Sequence, residues 1–137
     1  MKPVKRKIEW GCNRMTEPKM TAENGLETYE YTGESFKVLL RYEGWRVAML
    51  NHGAPFEEAN FFRVEKHHLT DEVFVLLTGN ATLVIGETLQ KIPMEQNKVY
   101  NVKKDVWHHI FTTEGTQVLI VENIETGAEN SEYLEVK

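Results

Sequence analysis

The chain has 137 residues, 41% hydrophobic and 27% charged, with a formal net charge of −5. That length and balance give one soluble globular domain with a real core, and exclude disorder, a collagen-like fibre and a disulfide scaffold. The acidic body argues against nucleic acid as a partner, and no apolar run approaches the ~18 residues of a membrane span.

The first twenty residues carry six Lys or Arg against two Glu. No apolar stretch follows them, so they read as a solvated arm, or one packed on an acidic neighbouring subunit, rather than a secretory leader. Cys12 is the only cysteine. A lone thiol without a leader fits a reducing cytoplasm, the expected location.

Short strands rich in Val, Ile, Phe and Tyr are predicted over 27–31, 36–41, 45–50, 61–67, 72–78, 81–85, 98–102, 106–112 and 117–122, with a weaker one over 133–136. Glu43-Gly44 and Thr78-Gly79-Asn80 punctuate them as turns. No window shows a convincing helical period. Many short strands at regular spacing indicate an all-β sandwich or barrel. Residues 1–35 are expected outside the barrel as an N-terminal arm, 36–122 as the barrel itself, and 123–137 as a C-terminal extension. The runs 73–77 and 118–121 are apolar on both faces, so the second face is covered as well. In so short a chain a homodimer is the simplest cover.

The five histidines are His52 and two adjacent pairs, His67-His68 and His108-His109. If 61–67 is a strand, Arg63, Glu65 and His67 share one face. A short turn leads to Glu72 at the start of the next strand, which brings Glu65, His67 and Glu72 toward one point. A barrel can carry His108 there too. Two histidines and a carboxylate on one side of an ion form the facial arrangement of non-haem iron sites, and they also suit manganese, nickel or zinc. His68 and His109 alternate away and are expected on the exterior or rim. His52 is expected at the surface or a barrel mouth. Arg63 would meet a substrate carboxylate or phosphate, or a cavity acid.

These residues resemble the cupins, small double-stranded β-helix barrels of jelly-roll type. The family's first motif reads G-x5-H-x-H-x3,4-E-x6-G. Here Glu65-Lys66-His67 is followed by four residues, Glu72, six more residues and Gly79. The second motif, G-x5-P-x-G-x2-H-x3-N, keeps its histidine as His108. Lys103, Asp105 and Thr112 replace its proline, glycine and asparagine. The resemblance covers about residues 36 to 122. It implies a divalent metal (Fe, Mn, Ni or Zn) held by His67, Glu72 and His108, with Glu65 as a fourth ligand or as the general base. The shorter spacing would instead use His68, with Lys66 in the first place, and a turn one residue longer would substitute Asp71 for Glu72. The implied activity is isomerase, epimerase, lyase or dioxygenase chemistry on a small polar molecule. The alternatives are a non-catalytic small-ligand module, and a metal-free epimerase using Tyr100 with His67 or His108.

Overall fold

A computed structural model describes residues 17–136. Cys12 and most of the basic arm lie outside the described residues. The described residues form twelve strands: β1 (Lys19–Glu23), β2 (Leu26–Glu30), β3 (Phe36–Tyr42), β4 (Trp45–Asn51), β5 (Arg63–His67), β6 (Glu72–Thr78), β7 (Ala81–Ile85), β8 (Gln90–Pro93), β9 (Val99–Val102), β10 (His108–Thr112), β11 (Gln117–Asn123) and β12 (Ser131–Glu135). The two short 3-10 turns Ala54–Phe56 and Glu58–Asn60 link β4 to β5. No helix among the described residues is long and apolar enough to cross a membrane.

Two five-stranded antiparallel sheets make the barrel, ordered β12-β5-β10-β7-β8 and β3-β4-β11-β6-β9. β1 and β2 form a hairpin that belongs to neither. The period of two explains the core between the sheets. Ala48 and Leu50 of β4, Phe74 and Leu76 of β6, and Val118 and Ile120 of β11 point inward from one sheet. Leu83 of β7 and Ile110 of β10 meet them from the other. Burying each large apolar side chain is worth about 1.5–3 kcal/mol.

Gly79 closes the β6–β7 turn with φ +83°, and a Cβ there would collide with Thr116. Only glycine satisfies both conditions. The barrel sheet does not stop at residue 122. β12 pairs with β5 along its whole length, so the C-terminal extension supplies a barrel edge.

The outer face of the β10 sheet holds a correction. His109 was expected on the exterior or rim. Instead it is stacked on Phe61 at 5.0 Å between centroids and on Phe56 at 6.1 Å, with Phe111 edge-on at 5.5 Å. The chain from Ala54 to Phe61 folds back over this face, so outward no longer means exposed. His109 Nε2 is buried and has no hydrogen-bond partner among the described residues. Burial, then the charges of His108 and Arg63, push its pKa down to about 4. The unfolded chain binds a proton here below its ordinary pKa of about 6.5, while the folded chain refuses it until about pH 4. Stability at this residue therefore falls as pH drops from 6.5 toward 4, by up to about 3 kcal/mol. His109→Phe is expected to flatten that part of the profile in urea unfolding at pH 7 and pH 4.5. Equal losses in both proteins would contradict the assignment.

Candidate metal centre

His67 ends β5, Glu72 opens β6, and His108 opens β10. The β5–β6 connection is short, and β10 lies beside β5 with His108 opposite Glu65. The structure thereby brings Glu65, His67, Glu72 and His108 together between the sheets. Glu72 Oε1 lies 3.0 Å from His67 Nε2 and 3.1 Å from His108 Nε2. Glu65 Oε2 stands 3.9 Å from both of those nitrogens. His67, Glu72 and His108 are buried at 6%, 5% and 3% exposure. The Glu65 side chain is 37% exposed, on the side of the entrance.

The second nitrogen of each ring is held. His67 Nδ1 is 2.8 Å from the Ser131 hydroxyl, and His108 Nδ1 is 3.0 Å from the Val106 carbonyl. A carbonyl only accepts, so His108 Nδ1 carries a proton and donates it. His108 Nε2 then faces the Glu72 oxygen with either a second proton or a lone pair. A lone pair against a carboxylate oxygen repels. The contact therefore calls for positive charge between them, as a ring proton or a cation. Burial disfavours charge on His108, but the hydrogen bond to Glu72, its charge and the Val106 carbonyl outweigh it and raise the pKa. Burial would raise Glu72, yet the hydrogen bonds from His108 and His67 hold it well below the usual carboxylate range.

Two imidazole nitrogens and two carboxylates converge with their outer atoms fixed, so the donor set suits a divalent transition ion. The atoms that could hold one ion fall into two groups, Glu65, His67 and His108, and His67, Glu72 and Glu122. Glu122 of β11 is buried behind Glu72, and Arg46 of β4 clamps it through Nε at 2.7 Å and Nη2 at 2.6 Å. Arg46 also donates to the Thr126 carbonyl at 2.8 Å. Burial raises the Glu122 pKa, the neighbouring Glu72 adds to that, and Arg46 only partly offsets it. Sequence reasoning did not single out Arg46 or Glu122. The signal was present: both occupy inward positions of otherwise apolar strands, and they are register partners.

A cavity of about 410 Å³ opens above the cluster, within the range that holds small molecules. Phe74 lies at its base, with its ring 6.1 Å from that of His108. Thr126 Oγ1 is buried at the wall and makes no hydrogen bond among the described residues. Arg63, expected to point inward, is exposed at the mouth. Its guanidinium lies 4.1 Å above the Tyr133 ring centroid and 5.4 Å from that of Phe62. Tyr133, also unforeseen, leans on Glu65; burial and then the charge of Glu65 raise its pKa.

Other sequence candidates lie elsewhere. His68 pairs with Asp105 at 2.9 Å and Glu132 at 3.2 Å, off the cluster. Lys66 sits over the Trp107 ring, and Asp71 bonds Asn101 and the Lys104 amide. His52 contacts Thr112 and Glu57. Tyr100 accepts the Glu95 amide hydrogen at 2.9 Å and is not among the residues that line the cavity with His67 and His108.

No family model and no curated protein matches the sequence. Solved structures do resemble the fold. Pac13 from Streptomyces, in a structure with uridine, superimposes with a TM-score of 0.60 at 9% identity over 87% of this chain and 85% of that one. Pac13 is described as a nucleoside dehydratase. A cupin-2 domain protein from Shewanella frigidimarina gives 0.51 at 20% identity over 68% and 84%. KdgF from Halomonas gives 0.51 at 11% identity over 83% and 91%. With its two facing antiparallel sheets, the chain has the cupin fold.

Proposed function

We propose that the protein is a metal-dependent enzyme that moves a proton on a small polar substrate, as an isomerase, epimerase or lyase does. The observation that carries this reading is the approach of His67 Nε2 and His108 Nε2 to one oxygen of Glu72, at 3.0 and 3.1 Å, beneath a cavity of small-molecule size. His67, His108 and Glu72 would hold the ion. An iron, manganese, nickel or zinc ion there would supply Lewis-acid polarisation of a substrate oxygen, or dioxygen chemistry if it is iron.

The chain's own residues supply the rest. Glu65 stands farther out than Glu72 and reaches the entrance, which suits a general base better than a fourth ligand. Tyr133, its phenol kept protonated by burial and the charge of Glu65, would donate a hydrogen bond that orients the Glu65 carboxylate. Arg63, fixed over Tyr133, offers a guanidinium to an anionic substrate group at the mouth. The order inward along β5 is Arg63, Glu65, His67, a charge-binding end, a base and a ligand at successive steps of about 7 Å.

Glu65→Gln is expected to keep the metal and lose about 100- to 10,000-fold in turnover. The assay is a panel of sugars, keto and hydroxy acids, phenols and nucleosides, the last because a structural neighbour is seen with uridine. Loss of metal from Glu65→Gln would make Glu65 a ligand instead. Bound ligand without turnover across the panel would favour the binding-module alternative.

A further inference from the structure

Arg46 and Thr126 line the cavity beside the metal centre, and each keeps hydrogen-bonding capacity that nothing among the described residues uses. Arg46 engages Glu122 and the Thr126 carbonyl through Nε and Nη2, and its Nη1 makes no hydrogen bond among the described residues. Thr126 is 8% exposed, and its hydroxyl is buried without a partner. A buried hydroxyl in that position has given up its hydration and gained nothing for it.

The backbone that carries this hydroxyl is held on both sides. The Thr126 amide donates to the Asn123 carbonyl at 3.0 Å, and the Thr126 carbonyl accepts from Arg46 at 2.8 Å. The same loop is pinned by the Ile124 amide on the Gly44 carbonyl at 3.1 Å and by the Asn130 side chain on the Glu125 carbonyl at 2.8 Å. A polar group on so fixed a frame meets a ligand in the cavity with little ordering cost.

We infer that Arg46 Nη1 and the Thr126 hydroxyl together bind a neutral oxygen of the substrate, a hydroxyl or a carbonyl, next to the oxygen that the ion takes. The inference rests on the metal-dependent reading above. It narrows the substrate to compounds with oxygens on neighbouring carbons, the hydroxy-carbonyl class of sugars and hydroxy acids. Distance makes the two oxygens neighbours. Ligand atoms of His67, Glu72 and Glu122 all lie within 4.8 Å of one another, and Arg46 holds that Glu122 at 2.6 and 2.7 Å. The guanidinium thus stands one carboxylate beyond the ion site, a gap that adjacent oxygens bridge. Charge makes the bound group neutral. Arg46 already faces Glu122, with Glu72 beside it, so an anion here would meet two carboxylates. A hydroxyl or carbonyl lone pair accepts from Nη1 without that repulsion, and the Thr126 hydroxyl can donate to the same oxygen or accept from it. An anionic group is left to Arg63 at the mouth.

The test is calorimetric titration of the zinc-loaded full chain with two pairs of probes, ribose against 2-deoxyribose and lactate against propionate. Within each pair the members differ by one hydroxyl beside a carbonyl carbon. The hydroxylated member of at least one pair should bind at least about tenfold more tightly. Thr126→Val should erase that preference, and Thr126→Ser should keep it. Urea unfolding of the ion-free protein gives a second readout. Thr126→Val should unfold at a midpoint equal to or above that of the wild type, since the hydroxyl it removes had no partner. No preference in either pair, a preference that survives Thr126→Val, or a lowered midpoint for Thr126→Val would each overturn the inference. Zinc uptake separates the two proposals. A chain that takes up zinc but shows no preference dependent on Thr126 contradicts the subsite alone, whereas a chain that takes up no ion brings down the metal-dependent reading and the subsite with it.

Discussion

Replacing His67 or His108 with alanine is expected to lower metal affinity by well over 100-fold, because removing even an outer-shell partner of a ligand costs about 10- to 100-fold. His68→Ala and His109→Ala should keep the ion. The contrast follows from the strand period, which sends neighbours to opposite faces. His68 is engaged by Asp105 and Glu132, and His109 by the Phe56, Phe61 and Phe111 rings. Titration with zinc or manganese, followed calorimetrically, measures it. Circular dichroism should stay unchanged in the His67 and His108 variants, since water can take the place of either ring at a cavity wall. Loss of metal from His68→Ala with retention in His67→Ala would shift the register by one residue, putting Lys66 on the inner face.

The second large effect is on stability. Arg46→Met is expected to cost about 3–5 kcal/mol, the range for breaking a buried ion pair from one side. The change leaves Glu122 buried beside Glu72 without the guanidinium that partly offsets their repulsion. The double variant Arg46→Met/Glu122→Met should recover most of the loss, because a buried pair exchanged for apolar residues of similar size is often neutral. Urea unfolding of the two single variants and the double variant gives the coupling energy. A double variant as unstable as Arg46→Met alone would mean that Arg46 works chiefly through the Thr126 carbonyl.

The sequence made the all-β barrel legible because nearly every central strand is dense in β-branched and aromatic residues. What it concealed lies at the edges. β8, Gln90–Pro93, is a four-residue edge strand of mostly polar composition ending in proline, so it has no alternation to read. β1 was readable and was missed: Asn24-Gly25, both at positive φ, is the preferred two-residue hairpin turn, with flanks too polar to look like strands. At the cavity, the motif spacing pointed to residues from β5, β6 and β10. Ser131 and Tyr133 arrive from β12, sixty-odd residues away in the chain, and no local pattern ties them to β5. The burial of His109 was hidden for a different reason. Periodicity tells which face a side chain takes, but only the path of the Ala54–Phe61 segment decides whether that face is wet.

His67, Glu72 and His108 are expected to hold a divalent transition ion in the purified protein. Elemental analysis of protein purified without chelator and without an affinity-tag metal tests it most directly. The expected result is close to one iron, manganese, nickel or zinc ion per chain, absent from His67→Ala. Protein that carries none and takes up none of the four on titration would contradict it, and would leave the buried His–Glu cluster held together by ring protons alone.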